Sequence, residues 1–201
     1  MAMVHDQTAE LERVRNMLEV RMKEKPRRYQ HSLGVARTAV DLARAYEVDE
    51  YHAAFAGLTH DWDKVLDDHE LLARAAQYGV KVTGSPTRAV GLLHGPVAAH
   101  ELPHIFEGIA PEVCQAVARH TVGAIDMTPL DMVVFIADAI EPGRRGDYAE
   151  RLRALVGSAP LEELFFQTFA QGLVYVILPQ GRYLYPTAID IYNAYAVKRS
   201  R

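Results

Sequence analysis

Cysteine is almost missing from this chain. Cys114 is the only one among 201 residues, so no intrachain disulfide can form and no cysteine cluster can hold a metal. A reducing cytoplasm is the expected location. Long apolar runs are missing too: nowhere do 18 consecutive apolar residues occur, so no membrane-spanning helix is expected. The polar stretch from Met1 to Arg15 lacks the apolar centre that a secretory signal needs. There is no excess of positive charge either. The 22 Lys and Arg stand against 26 Asp and Glu, a formal net charge of -4, which gives no electrostatic reason to expect nucleic acid as a partner. No glycine-rich phosphate loop, GxGxxG or nucleophile elbow occurs, which removes the P-loop, dinucleotide-binding and serine-hydrolase readings. Internal repeats, low-complexity tracts and Gly/Ser linkers are absent as well.

What is present reads as an ordinary globular protein, 49% hydrophobic and 24% charged, and long enough to bury a sizeable core. Apolar residues recur at three- and four-residue spacing, with few alternating runs, which predicts an all-α fold. One domain is expected over residues 1–201, with a core over about 28–142 and C-terminal helices over about 160–197. Leu11, Val14, Leu18 and Met22 predict a first helix over Thr8–Lys25, closed by the basic turn Lys25-Pro26-Arg27-Arg28. Val35, Ala39, Leu42 and Tyr46 stripe a second, from about Arg28 to Tyr46, and place His31 on the same face. Taken alone, such a histidine reads as a hydrogen-bonded core residue. Tyr183, Tyr185, Tyr192 and Tyr195 are expected to pack the last two helices, around a turn at Gly181 and Arg182.

The chemistry collects at helix ends. His60-Asp61 closes the apolar run Ala53-Ala54-Phe55-Ala56-Gly57-Leu58, whose small residues allow close packing, and Lys64 follows. Neighbours on a helix diverge by about 100°, so both side chains reach one metal only near a helix end. Ser85-Pro86 starts a helix running to His94, and Gly95-Pro96 is expected to break it, leaving His94 at a junction before Val97–Leu102. His120 ends the helix that Ala110-Pro111 begins. Thr128-Pro129-Leu130-Asp131 is a capped start for an apolar segment that Asp138 interrupts. A carboxylate there costs several kcal/mol unless it is paired or metal-bound; a salt bridge is the bland alternative. Imidazole and carboxylate donors together suit zinc, manganese or iron. Four histidines and two aspartates could complete one metal site and most of a second, with Asp61 bridging. Two cations roughly 3.5–4 Å apart polarise a phosphoryl group and activate water. Lys64, Arg144 and Arg145 are placed to neutralise non-bridging oxygens.

The order His31, His60-Asp61, Asp138 resembles the HD superfamily of metal-dependent phosphohydrolases, and His60-Asp61-Trp62-Asp63-Lys64 is similar to the His-Asp-x-x-Lys form of several of its branches. A closer likeness is to the YqeK-type family, bacterial symmetrical hydrolases of diadenosine tetraphosphate (Ap4A). It is carried by Arg28-Tyr29-Gln30-His31-Ser32, Leu92-Leu93-His94-Gly95-Pro96-Val97, Arg119-His120-Thr121-Val122-Gly123 and the stretch from Ile136 to Arg144, and runs from about Val14 to Tyr195. The resemblance implies an all-helical HD-domain bundle that cleaves Ap4A to two ADP at a two-metal centre, di-iron in this family, with manganese or zinc as alternatives. It makes His31, His60, Asp61, His94, His120 and Asp138 metal ligands. Asp61, Lys64 and Arg144 become catalytic residues, and Lys64, Arg144 and Thr121 substrate contacts. The implied partner is a small nucleotide, with no nucleic acid or membrane; a homodimer stays open. So do two other readings, a phosphodiesterase or nucleotidase of the same superfamily and an inert metal-binding module. Two departures are visible. Asp63 stands where a small residue is commoner and is expected to add negative charge near the entrance, and Tyr185-Pro186-Thr187 replaces a His-Pro segment.

Overall fold

In the computed structural model, residues 6–178 and 183–199 are described, and none of them lies in a strand. Eleven α-helices follow one another in these residues. They are α1 (Gln7–Arg21), α2 (Pro26–Ala45), α3 (Glu50–Thr59), α4 (Asp68–Gln77), α5 (Pro86–Ala89), α6 (His94–Ile105), α7 (Pro111–Arg119), α8 (Pro129–Ile140), α9 (Asp147–Leu155), α10 (Leu161–Ile177) and α11 (Thr187–Arg199), with a 3₁₀ turn at Val90–Leu92 before α6. The expected all-α fold is what forms.

Local chemistry explains most boundaries. The first helix stops at Arg21 instead of Lys25, because Pro26 occupies the first position of α2, where its missing N–H costs nothing. The basic segment thus opens α2 as well as leaving α1. Gly95-Pro96 does not break a helix: both lie in the first turn of α6, which begins at His94, and proline is tolerated there for the same reason. Thr128 caps α8 as expected, in a full capping box with Asp131. The α9 helix was not anticipated, although Ala149 and Leu152 are its buried residues at helical spacing.

The core is built around α3 and α8. Every residue from Ala53 to Thr59 is buried, as are eight of the twelve residues of α8. The α2 helix packs on both of these, α7 also touches both, and α9 and α10 cover α8 from the C-terminal side. A Cβ at Gly57 would lie 2.6 Å from the Ala36 Cα, so the α2–α3 approach requires glycine there. A smaller apolar cluster, Leu71, Ala75, Leu93 and Val97, joins α4 to α6. The C-terminal tyrosines divide. Tyr195 is buried against Phe165 and Tyr192 lies beside Phe166, so both pack α11 on α10. Tyr183 and Tyr185 instead accept hydrogen bonds from the backbone N–H groups of Ser85 and Thr83, pinning the loop before α5. Gly181 and Arg182 lie outside the described residues.

Candidate metal centre

Six side chains from five segments converge where these helices end. His31 sits in the second turn of α2, and Asp138 near the end of α8. His60 is the C-cap of α3 and His120 the C-cap of α7, while His94 is the first residue of α6. Beyond Thr59 the chain runs through successive tight turns, Trp62 N to Thr59 O (3.0 Å), Lys64 N to Asp61 O (2.9 Å) and Leu66 N to Asp63 O (3.1 Å). This is how the neighbours His60 and Asp61 come to share a site. Gly95 leaves room for its partner: a Cβ there would lie 3.0 Å from the His120 ring.

Each histidine is held by its Nδ1. His60 donates to Gly57 O (2.8 Å), His94 to Gly91 O (2.9 Å) and His120 to Val117 O (2.7 Å). His31 donates to the Glu141 carboxylate (3.1 Å). Since carbonyl and carboxylate oxygens only accept, Nδ1 is the donor in each of these bonds, and Nε2 is the ring atom turned toward the centre. The four Nε2 atoms point inward. His31 and His60 bring theirs within 3.3 Å, and His94 and His120 within 3.1 Å. A cation seated beside either pair would meet nitrogen from both rings.

The carboxylates complete two groups. Asp61 turns Oδ1 toward His94 (3.0 Å) and His120 (3.9 Å) and Oδ2 toward His60 (3.7 Å) and His31 (3.9 Å). Asp138 Oδ1 faces His31 (2.9 Å) and His60 (4.0 Å). Donor atoms of His31, His60 and Asp138 lie within 4.8 Å of one another, and so do those of His60, Asp61 and His120. This set of imidazole nitrogens and carboxylate oxygens fits divalent metal ions. Burial, aided by the neighbouring histidines, pulls His120 down to about 3, and burial likewise lowers His60. Both rings are therefore neutral at pH 7, the form in which an imidazole can bind a metal. Burial pushes Asp61 and Asp138 up, but the surrounding histidines, joined at Asp138 by Arg144, outweigh it and hold both well below the carboxylate range. At His31 burial acts downward and is overcome by Asp138 and Glu141, which raise it.

Cations ring the group. Arg144 donates from Nη2 to Asp138 Oδ1 (2.7 Å) and from Nε to the Asp138 carbonyl (2.8 Å). Lys64 Nζ donates to Gly91 O (3.1 Å), and burial lowers its pKa. Arg28, which the motif reading left without a role, reaches Asp61 Oδ2 at 2.8 Å. Its signal was there: it lies three residues before His31, on the same helix face. Glu141 was missed in the same way, three residues after Asp138. Arg145 is exposed, on a separate cavity with Arg27 and Arg37. Asp63 does not add charge at the entrance. Its carboxylate is fully buried on the opposite side of the turn, paired with Arg21, because two residues along this tight turn reverse the direction of the side chain.

The ring opens on a cleft of about 350 Å³ lined by Arg28, Asp61, Lys64, His94, His120 and Arg144, with Thr121 also on its wall. On either side lie cavities of about 330 and 260 Å³.

The HD domain family model matches residues 28–143. A protein of Staphylococcus aureus named bis(5'-nucleosyl)-tetraphosphatase, symmetrical, is 31% identical over 188 residues, spanning 92% of this chain and 94% of its own. A Bacillus subtilis protein of the same name is 29% identical over 170 residues, 83% of this chain and 88% of that protein. Among solved structures, an HD superfamily hydrolase from Clostridium acetobutylicum, described as involved in NAD metabolism, superposes with a TM-score of 0.84. It is 30% identical, over 93% of this chain and 97% of the other.

Proposed function

The chain belongs to the HD domain family of metal-dependent phosphohydrolases, and from that premise we propose that it hydrolyses Ap4A symmetrically to two ADP. The tetraphosphatases of the same name to which it is similar support the substrate. The observation that carries the two-metal reading is the division of Asp61, one oxygen toward His94 and His120 and the other toward His31 and His60.

Under this reading His31, His60, Asp61, His94, His120 and Asp138 are the ligands, with Asp61 the bridge. When bound, two divalent cations polarise a phosphoryl group and lower the pKa of water toward neutrality. Iron is the metal proposed, and manganese and zinc are served by the same donors. The protein's own groups supply register. Arg28 and Arg144, resting on Asp61 and Asp138, and Lys64 at the rim stand where non-bridging phosphate oxygens would be neutralised. Thr121 offers a hydroxyl on the same wall. Attack of water on the second phosphorus from one end breaks the bridge to the third, so ADP leaves and the second ADP keeps the new oxygen. We take the chain as one cytoplasmic catalytic domain acting on a small nucleotide, without nucleic acid; the helices after 142 contribute Thr168 and Gly172 to its cleft. Among the described residues no helix is long and apolar enough to cross a membrane.

The test is product chromatography of Ap4A hydrolysed in isotopically labelled water. Two ADP with one labelled oxygen between them are expected. AMP plus ATP would overturn the symmetric reading, and intact Ap4A beside cleaved cyclic dinucleotide would replace the substrate.

A further inference from the structure

Gly172 occupies the middle of α10, where glycine is the poorest helix former after proline. Nothing in its surroundings demands it. Its φ is not in the left-handed region, and a Cβ built there would meet no atom within 4 Å. What glycine leaves is space, and the space is shared. Among the described residues, Gly172 alone lines the phosphate cleft and both flanking cavities. Thr168 and Tyr175 share its helix face, and Ala139, another small residue, lies across from it on α8.

The flanking cavities differ from the cleft in their walls. One has Phe135, Phe169, Tyr183, Leu184 and Tyr185, and is mostly apolar; the other has Tyr148, Leu152 and Tyr175, with the Gln171 amide. Aromatic faces with a few polar groups suit a nucleoside, while the charged cleft between them suits phosphates. Position 172 borders the cleft where it meets each of the two cavities.

We propose that Gly172 is a specificity-determining residue, whose missing side chain opens the phosphate cleft to the nucleoside-bearing ends of the substrate. This rests on the phosphohydrolase reading and adds to it a reason for accepting nucleotides over bare polyphosphate. ADP and inorganic pyrophosphate separate the two contributions, since they carry the same number of phosphates and only one carries a nucleoside. Their affinities for the metal-loaded enzyme would be measured by calorimetry for wild type, Gly172→Ala, Gly172→Leu and Gly172→Gln. Melting temperature and metal content would be recorded for each.

Filling the junction should weaken ADP by about 10- to 100-fold, the usual worth of one stacked base, in both the Leu and Gln variants. Pyrophosphate affinity and metal content should not move. Gly172→Ala should keep ADP binding and raise the melting temperature by roughly 2–4 °C, as a better helix former in a chain of this size. The Gln variant, of similar bulk but polar, scores the proposal should Leu aggregate. Equal losses for both ligands, unchanged ADP affinity in the bulky variants, or a wild type that binds pyrophosphate as tightly as ADP would each overturn it. Failure of the Ap4A reading shows separately, in the products the wild type releases.

Discussion

Asp61 and Asp63 are two residues apart in one turn, both almost wholly buried, and they do opposite work. Asp61 faces four histidines and Arg28, whose hydrogen bonds and fields hold it ionised. Asp63 faces the back of the turn. There it pairs with Arg21, whose Nε also bonds Trp62 O at 2.7 Å and whose guanidinium lies over the Trp62 ring. Burial and the nearby Glu101 push Asp63 up to about 6 against the pull of Arg21. Lys25 fastens the same turn from outside, through Lys64 O (3.0 Å) and Val65 O (3.2 Å). One carboxylate thus faces the proposed metal centre and the other the buttress behind it. A carboxylate's role here is set by which side of the backbone it leaves.

Five substitutions test that division. Asp61→Ala should have the largest effect, abolishing turnover and metal content together because it would remove the proposed bridge; inactive protein that keeps its full metal would contradict the assignment. Lys64→Ala and Arg144→Ala should each lower kcat/KM by about ten- to a hundredfold, the worth of a charged contact to phosphate, with metal content intact. Unchanged kinetics in both would remove the account of register. For Glu141→Gln, the His31 Nδ1 loses a charged acceptor, and outer-shell changes of this kind cost about tenfold or more in metal affinity. Metal titration against a chelator would show it, and a wild-type titration curve would make Glu141 merely structural. Asp63→Asn should have the smallest effect. It keeps the shape of a group facing away from the cleft, so metal content and kcat should change by less than about threefold, below 1 kcal/mol. A large rise in KM would restore Asp63 to the entrance.

Much of the helical frame was legible because its causes are local. The Thr128 capping box, the Pro111 and Pro129 starts and the Val14–Leu18–Met22 stripe are written in neighbouring residues and reappear in place. The donor types were legible for the same reason, since a carboxylate within an apolar helix or a histidine at a helix end needs a partner wherever the chain goes. Boundaries at Arg21 and Gly95-Pro96 were misread because proline permits a start as readily as it forces a stop. The reversal of Asp63 could not be read at all. Its direction depends on a turn held by Arg21 from α1 and Lys25 before α2, contacts 42 and 39 or 40 residues away in sequence.

By itself, then, the sequence determined an all-α chain whose histidines and aspartates stand at helix ends, because periodicity and capping act over three or four residues. Only the tertiary structure decided which oxygens of Asp61 face which histidines, that Arg28 and Glu141 support them, and that Gly172 joins three cavities. Those facts depend on how α2, α3, α6, α7 and α8 meet, and on the wall that α10 adds. Helix packing orients side chains from remote segments toward a common point, and no local pattern encodes that angle.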